Sequence, residues 1–499
     1  MTDSPLLTIT LGTDDTARIA FQGESTLVTL NFSAREKRLR ELGDKVSGRQ
    51  NGGVPTITPA EIKELGVTLF TMIFSGEAGD LFSRAVQFSR ANSRHTRLEI
   101  DQRGAHSKVA ALPWEFLCTP DDPPQWLATD GAFALYRRVK SGAGAVPAVR
   151  LTEHERLRVG VAFVQPSEMS AVEGQDTIRL IDEMTIDSRY NLDYRQAVPP
   201  VTVDSLQTFL EDRKPHIFHF IGHGKLIALD GISQDNFVFL QNLAGYADKV
   251  NTERLVARFT HIPPLAVFQA CETGMLTAER ASGIPPALIK QGVRTIVAMG
   301  YEIMNHHATT FFRAFYKALI LERLPAPEAT QRGRLALTTQ GFTDRGFATP
   351  VVFVGEGDGA LFDPHTVSDK IAYQTNTHSP ANSTRKLSEP ISMNDPITLK
   401  KLLREKLEKV LLDSRSMLTP MAANALLVQS GIDPMMVVFP AGMSPRDYTS
   451  ALTDQLVSAS MWDEIIAMVD VLRGRLGANY KPRLDEIEAM AKALKEAGE

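Results

Sequence analysis

The chain has 499 residues, more than one ordinary hydrophobic core accommodates, so two or three domains are expected. Its 54 basic and 59 acidic side chains give a formal net charge of -5, which argues against nucleic acid or anionic membranes as partners and favours proteins or peptides. Two cysteines, a start without a basic-apolar leader and the lack of any run of eighteen apolar residues predict a cytoplasmic protein that is neither exported nor inserted in a membrane.

The first hundred residues combine short strands with helices. The apolar runs LLTITL, ARIAFQ and TLVTLNF predict three strands, helical stretches follow, and RLEID predicts a closing strand. Residues 1–100 are therefore predicted to form an amino-terminal α/β region.

Strands and helices alternate through residues 101–363. RVGVAFV, IFHFI, LAVFQA, TIVAMG and VVFV are apolar runs typical of buried strands, and stretches with helical periodicity separate most of them. This order predicts an α/β fold with a mainly parallel sheet that helices cover on both faces. The functional site of such a sheet lies beyond the carboxyl ends of its strands.

The last third of the chain changes character twice. Residues 364–395 are rich in Ser, Thr, Asn and Pro, which predicts a flexible linker. Residues 396–499 have helical periodicity, with leucines three and four apart between Leu399 and Leu411, and predict a separate all-α bundle. The methionines of this part suit either the core of a small bundle or an adaptable protein-binding surface.

Two of the buried runs end in reactive side chains. HIFHFIGHG places His223 between two glycines, and LAVFQACETG places Cys271 directly after its run. A thiol nucleophile and a histidine base at the ends of neighbouring strands are the groups that a cysteine protease requires, and the N–H groups of Gly224 and Cys271 are candidates for its oxyanion hole. A QAC segment with a histidine about 50 residues upstream is also the arrangement found in caspases.

Simpler interpretations exist for the same residue types. A lone cysteine is often a small buried hydrophobe, which is the prediction for Cys118. As an alternative to catalysis, His219 and His223 share a strand face as metal ligands would, but His216 does not, and acidic partners at ligand spacing are missing. VVFVGEGDGA mimics a dinucleotide loop, yet a polar segment and not a helix follows it. No metal and no cofactor are predicted.

Several blocks of the sequence resemble, in order, the CHAT family of caspase-like and separase-like peptidases. They are LPWEFLCTPDDPPQWLATDGAFALYRRV, HFIGHG, QACETG, GIPPALIKQGVRTIVAMGYEI, FFRAFYKALI and FATPVVFVGEG, and they cover roughly residues 100–362. The resemblance implies that His223 is the general base, Cys271 the nucleophile and His219 a structural neighbour. Glu272 and Thr273 depart from the caspase motif, so specificity for aspartate is not implied. In this fold class, residues 1–100 are a candidate for a degenerate half that braces the active one.

The hypothesis that follows is a caspase-like cysteine endopeptidase of a bacterial defence or programmed-cell-death pathway. Residues 396–499 resemble effector-associated or death-like adaptor domains, which implies recruitment by a sensor or adaptor protein. By analogy, a gasdermin-like pore-former is a candidate substrate. Asp176, Asp182 and Glu183 are candidates for recognising a basic substrate side chain. The alternative hypothesis is a catalytically silent caspase-fold scaffold for protein–protein assembly.

Overall fold

The computed structural model divides the chain into two units, Met1–Tyr373 and Gln374–Glu499. The predicted linker 364–395 lies outside the residues that the structure describes. The described residues are 5–48, 55–92, 95–142, 144–152, 154–172, 174–228, 234–276, 282–303, 305–338, 345–363, 396–413, 426–427, 429–430, 449, 452–453, 455–457, 460–475 and 480–497.

The described residues of the first part of the first unit form five strands and four α-helices. Their order is β1 (Leu6–Leu11), β2 (Thr16–Phe21), β3 (Glu24–Thr29), α1 (Phe32–Ser47), α2 (Pro59–Ile73), α3 (Glu77–Asn92), β4 (Thr96–Asp101), α4 (Ser107–Ala110) and β5 (Phe133–Arg138). A capping box between Thr58 and Glu61 starts α2, because each side chain bonds the backbone N–H of the other residue.

The rest of the first unit alternates strands and helices, with one antiparallel hairpin inserted. The order is β6 (Leu157–Phe163), α5 (Gln175–Ile186), β7 (Leu192–Gln196), α6 (Val203–Arg213), β8 (Ile217–Ile221), β9 (Gly224–Ala228), β10 (Gln234–Gln241), β11 (Ala247–Asn251), α7 (Thr252–Val256), β12 (Leu265–Gln269), α8 (Ile284–Gln291), β13 (Thr295–Met299), α9 (Asn305–Tyr316), α10 (Ala326–Leu337) and β14 (Pro350–Val354). A π-helical turn at Lys317–Leu321 continues α9.

One sheet of eleven strands runs through the described part of the first unit, in the order β3-β2-β1-β4-β5-β14-β13-β12-β8-β6-β7. Its pairs are parallel except β1–β2, β2–β3 and β13–β14, which are antiparallel. The predicted fold class, a mainly parallel α/β sheet with helices around it and further helices at the carboxyl end, is confirmed. Strands β1 to β4, from the predicted amino-terminal region, belong to this same sheet.

Alternate residues of β8 show how the sheet is covered on both faces. Ile217 and Ile221 belong to the core formed with α5, α9 and α10, whereas Phe218 and Phe220 belong to the core formed with α6, α7 and α8. All five residues of β8 are buried. A strand enclosed on both faces reads as a continuous apolar run, which explains IFHFI.

A small antiparallel sheet, in the order β11-β10-β9, follows β8 directly. These strands were not predicted from the sequence. Val238 and Leu240 of β10 are fully buried in the core that also holds Phe218 and Phe220. The hairpin is therefore packed against the main sheet beside the ends of its strands.

A buried ion pair joins the Pro-Trp-Glu segment to β5. Glu115 accepts hydrogen bonds from Arg137 Nε at 2.9 Å and Nη2 at 2.5 Å, and both side chains are almost fully buried. The same guanidinium donates to the carbonyls of Ala110 and Leu112 at 3.1 and 3.0 Å. Arg137 therefore fixes the irregular backbone of residues 110–115 to the sheet.

The second unit is helical wherever it is described in continuous stretches. Its helices α11 (Pro396–Asp413), α12 (Trp462–Arg475) and α13 (Lys481–Glu496) share one apolar core. Met468 and Met490 are buried in that core, so these two methionines fill space inside the bundle. The Met435–Met436 segment lies outside the described residues.

Within the described residues, no single helix has both the length and the apolar character needed to cross a membrane. The helices α2 and α3 meet those criteria only as a pair bent by 108°. Both contribute buried residues, among them Leu65, Leu69 and Ala85, to the core beneath β1 to β5.

We predict that Glu115→Gln destabilises the first unit by about 3–5 kcal/mol, because it leaves the Arg137 charge buried without a carboxylate partner. The measurement is the midpoint of urea unfolding. The control is Glu24→Gln, which removes an exposed ion pair with Arg84 and should leave the midpoint unchanged. Equal effects of the two substitutions would contradict a structural role for the buried pair.

Candidate active site

The two predicted catalytic residues follow the ends of adjacent parallel strands. Ile221, the last residue of β8, pairs in register with Gln269, the last residue of β12. The Gly222 N–H donates to the Gln269 carbonyl at 3.2 Å, which extends the pairing one residue further. His223 and Cys271 each follow at a distance of two residues, so the chain leaves both strands at the same level of the sheet edge.

Gly224 lies directly against the backbone of Cys271. A Cβ at residue 224 would be 2.5 Å from the Cys271 carbonyl oxygen and 2.7 Å from the Thr273 methyl group, far inside van der Waals contact. Only glycine allows this close approach without a shift of the backbone. The HFIGHG and QACETG segments are therefore in contact through their backbones.

The N–H of Gly224 points toward the Cys271 segment. The Phe239 N–H donates to the His223 carbonyl at 3.1 Å, so the backbone of residue 223 faces β10. Successive residues of a strand direct their N–H groups to opposite sides, so the Gly224 N–H faces away from β10. Leu226, two residues further on, shows that direction, since its N–H donates to Glu272 Oε2 at 2.8 Å. Gly224 thus presents its N–H on the side of the cysteine.

The turn after Cys271 is held in an uncommon backbone conformation. Glu272 has a φ of 58°, in the left-handed region that non-glycine residues rarely adopt. Its side chain accepts the Leu226 N–H, and its carbonyl accepts Asn236 Nδ2–H at 3.0 Å. Asn236 is fully buried and its Oδ1 also accepts the Ile284 N–H at 3.3 Å. The β9–β10 hairpin therefore stabilises this turn.

The imidazole of His223 is oriented by a backbone carbonyl. Its Nε2 lies 2.8 Å from the Ser170 carbonyl oxygen. A carbonyl oxygen only accepts hydrogen bonds, so Nε2 carries the proton of that bond. In the neutral ring Nδ1 is then unprotonated and is the nitrogen able to accept a proton.

The loop that supplies Ser170 is held by several hydrogen bonds. Ser167 N–H donates to the Gly245 carbonyl at 3.0 Å, and Glu168 Oε1 accepts the Ala247 N–H at 2.6 Å. Gly245 lies in the connection between β10 and β11, and Ala247 is the first residue of β11. The loop that contacts His223 is therefore bonded to the β10–β11 connection, and β10 also carries Asn236, which holds the turn after Cys271.

The Cys271 thiol is protonated at neutral pH in this conformation. Burial, together with the nearby carboxylates of Glu302 and Glu272, raises its pKa to about 11, and the Arg345 guanidinium opposes them only in part. Glu302 follows β13 and is exposed, whereas Arg345 is buried. A thiol with so high a pKa requires a base to remove its proton before it attacks.

The remaining histidines and Cys118 lie in other surroundings. His219 is fully buried with Nδ1 2.9 Å from the Tyr316 hydroxyl, and burial lowers its pKa to about 3. His216 precedes β8 at the opposite end of the strand from His223, and its Nδ1 accepts the Arg158 N–H at 3.1 Å. Cys118 is buried in the core beneath β1 to β5, and burial raises its pKa to about 12. The structure brings none of these three side chains to His223.

The three acidic candidates for substrate recognition lie on α5. Asp176 is 3.6 Å from Arg179 and Glu183 is 3.4 Å from Arg313 of α9, so both carboxylates face arginines of the protein itself. Burial raises the pKa of Asp182, and burial together with the charge of this carboxylate raises the pKa of Tyr194 on β7. Among the described residues, no group of three or more His, Cys, Asp or Glu side chains is arranged to hold a metal ion.

Several groups around the site were not predicted from the sequence. Ser170, Asn236, Glu302 and Arg345 come from four separate loops or strands. The run NFVFLQ, with Phe, Val and Phe in succession, is rich in residues that favour strands and was a signal for β10 and hence for a hairpin near His223. Ser170 offered no such signal, because it acts through its backbone carbonyl.

The CHAT domain profile matches residues 64–381, which is more than half of the chain. A comparison with curated proteins finds no match. Similar solved structures include the Arg-specific cysteine proteinase gingipain R, with 12% identity over 72% of this chain and 78% of that chain and a TM-score of 0.37. The Saccharomyces cerevisiae separase–securin complex has 13% identity over 65% of this chain and 22% of that chain, with a TM-score of 0.33. The domain match alone therefore carries the family assignment.

We predict that alkylation of Cys271 by iodoacetamide accelerates roughly tenfold per pH unit between about pH 7 and 10, since the thiolate fraction grows in that proportion below a pKa of about 11. Glu302→Gln should raise the rate at pH 8, because removal of a nearby negative charge lowers the pKa of the thiol. The measurement is peptide mass spectrometry of the labelled residue.

The control for this experiment is Glu322→Gln, which removes an exposed glutamate that is not among the charges acting on Cys271. A rate that levels off below pH 8 would instead show a standing thiolate–imidazolium pair.

Proposed function

The chain belongs to the CHAT domain family, and on this basis we propose that it is a cysteine endopeptidase in which His223 and Cys271 form the catalytic dyad. The observation that carries the proposal is the register of β8 and β12, which brings the backbones of Gly224 and Cys271 into contact. A histidine and a cysteine at one edge of a parallel sheet, with backbone N–H groups beside them, meet the requirements of acyl transfer.

The first step of the proposed reaction is proton transfer from Cys271 to Nδ1 of His223. The Ser170 carbonyl holds Nε2–H, leaves Nδ1 free to act as the base and stabilises the imidazolium that forms. The raised pKa of the thiol favours deprotonation during attack over a standing ion pair. Ser170 would thus do through its backbone what the carboxylate of a catalytic triad does through a side chain.

The second step is attack of the sulfur on the substrate carbonyl. The N–H groups of Gly224 and Cys271 would donate to the oxyanion of the tetrahedral intermediate, and the direction of the Gly224 N–H supports this role. The imidazolium then returns its proton to the leaving amine, and the C–N bond breaks. Water, activated by the same imidazole, releases the acyl group from Cys271.

The proposed biological setting is a bacterial defence or programmed-cell-death pathway, in which a sensor or adaptor recruits the enzyme through residues 396–499. The helical core of the second unit supports a folded adaptor-like module. The substrate in this proposal is a protein, for which a gasdermin-like pore-former is the candidate by analogy with other proteases of such pathways. Asp176, Asp182 and Glu183 remain predictions for recognition of a basic side chain.

We predict that Cys271→Ala and His223→Ala each abolish peptide cleavage, and that labelling by an acyloxymethyl-ketone probe disappears in Cys271→Ala, because the probe reacts with the nucleophile. The measurement is gel fluorescence of the probe together with turnover of a peptide library. His219→Gln is a control for histidine loss on the same strand, provided that it folds. A wild-type chain that shows neither labelling nor cleavage with its partner present would favour the scaffold hypothesis.

We predict that Gly224→Ala lowers kcat by at least about a hundredfold, since a Cβ at 2.5 Å from the Cys271 carbonyl must displace one of the two backbones that form the oxyanion hole. The matched control is Gly131→Ala, because a Cβ there has no described heavy atom within 4 Å and the backbone is not in the left-handed region. Normal turnover by folded Gly224→Ala would exclude residue 224 from the oxyanion hole.

A further inference from the structure

We propose that a groove between α1 and the loops after β12 and β13 is a subsite for a large apolar side chain of the peptide substrate, close to the scissile bond. This inference rests on the proposed peptidase function and adds a specificity to it. The groove encloses a cavity of about 120 Å³. It is lined by Phe32, Leu39 and Gly43 of α1, Leu112, Met275 and Tyr301, together with other residues of the same segments.

The groove shares two loops with the candidate active site. Met275 lies on the turn that begins at Cys271, since its N–H donates to the Glu272 carbonyl at 3.1 Å. Tyr301 follows β13, the strand next to β12, and the Arg345 guanidinium lies 5.4 Å above its ring. Arg345 also acts on the Cys271 thiol through its charge. One wall of the groove is therefore built from the same loops that surround the nucleophile.

The opposite wall is held in place by contacts at both ends of α1. Asp15 Oδ1 accepts the Phe32 N–H at 2.9 Å at the start of the helix. Near its other end, Arg345 donates a hydrogen bond to the Val46 carbonyl. Arg345 therefore links α1 to Tyr301, and the groove has fixed walls before any ligand binds, as small-molecule and peptide pockets usually do.

The charges at the rim balance one another, which favours a neutral occupant. The rim carries Glu36 and Asp44 against Arg40 and Lys108. Glu36 is 2.8 Å from Lys108 and 2.6 Å from Arg40, so these cations are already paired. The side chains of Phe32, Leu39 and Leu112 are almost fully buried along the walls. An acidic or basic side chain would lose its hydration here without gaining a free counter-charge.

Gly43 is the residue that keeps the groove open. It occupies the interior of α1, where glycine is among the least favourable residues, yet a Cβ at this position has no described heavy atom within 4 Å. Almost any other residue would favour the helix and would project into the groove. Gly43 therefore lowers the stability of the helix but leaves an opening beside Cys271. A substrate subsite requires such an opening.

The occupant that fits is an aliphatic or aromatic side chain such as leucine, methionine or phenylalanine. A cavity of about 120 Å³ with apolar walls has room for one side chain of this kind. Only one short hydrogen-bonded turn separates Cys271 from Met275, which lines the groove. An extended peptide advances roughly 3.3 Å per residue, so we expect the apolar residue to lie within about four residues of the scissile bond.

The test uses the full chain and a peptide library in which Leu, Met, Phe, Ala, Asp and Lys are varied at each position around the cut. The blocking variant is Gly43→Phe, and Gly43→Ala is the variant that should leave the groove mostly open. The matched control is Gly474→Phe, since Gly474 also lies in a helix and a Cβ there has no described heavy atom within 4 Å. Thermal melting reports whether each variant folds.

We expect the wild-type chain to prefer a large apolar residue at one fixed position and Gly43→Phe to lose at least tenfold in kcat/KM on such peptides, mainly through KM. Peptides with alanine at that position should change less than twofold, and Gly474→Phe should resemble the wild type. A wild type without an apolar preference, or a folded Gly43→Phe variant that retains it, would overturn the inference.

A binding arm separates this inference from the proposed activity. The Cys271→Ala chain, with and without Gly43→Phe, is incubated with the same peptides on an array. Binding of the apolar peptides that Gly43→Phe abolishes supports the subsite even when the wild type neither cleaves nor reacts with an acyloxymethyl-ketone probe. If the probe labels the wild type but the Cys271→Ala chain shows no preference for apolar peptides on the array, the subsite is rejected. The proposed peptidase function would then remain in place.

Discussion

The parallel pairing of β8 with β12 is the constraint on which the rest of the site depends. Hydrogen bonds between the two strands hold Ile221 level with Gln269, and the chain leaves both strands at the same edge. Because every strand of a parallel pair ends at the same side, two residues far apart in the sequence become neighbours without any side-chain contact between them. The apolar side chains of β8 and β12, buried on both faces, prevent the register from slipping.

The β9–β10 hairpin turns this proximity into a defined geometry. It supplies Gly224, whose N–H faces Cys271, and Asn236, which holds the carbonyl of Glu272. Strand β10 continues into the β10–β11 connection, which bonds the loop that carries Ser170. The small antiparallel sheet of β9 to β11 is therefore bonded both to the turn after Cys271 and to the loop that contacts His223.

Electrostatics at the site leave the thiol protonated until a base acts on it. Burial and two carboxylates raise the pKa of Cys271, and Arg345 is the cation that partly compensates them. Arg345 also bonds α1 and stacks over Tyr301. The same side chain thus connects the protonation state of Cys271 to the wall of the neighbouring groove. In the proposed reaction, a substrate side chain that enters this groove would contact the residues that surround the nucleophile.

Much of this organisation is readable from residue patterns. Apolar runs that alternate with helical periodicity predicted the mainly parallel sheet, since strands buried on both faces must be apolar throughout. The glycines on either side of His223 and the Gly274 that follows Cys271 marked the strand ends. The β9–β11 hairpin, the Ser170 carbonyl and the groove opened by Gly43 were not predicted. Periodicity and residue type are local properties of the chain, whereas a backbone carbonyl is chemically the same at every residue. Which carbonyl meets His223, which charges surround Cys271 and which helix lies beside it depend on packing between segments distant in sequence, and only the folded sheet determines those contacts.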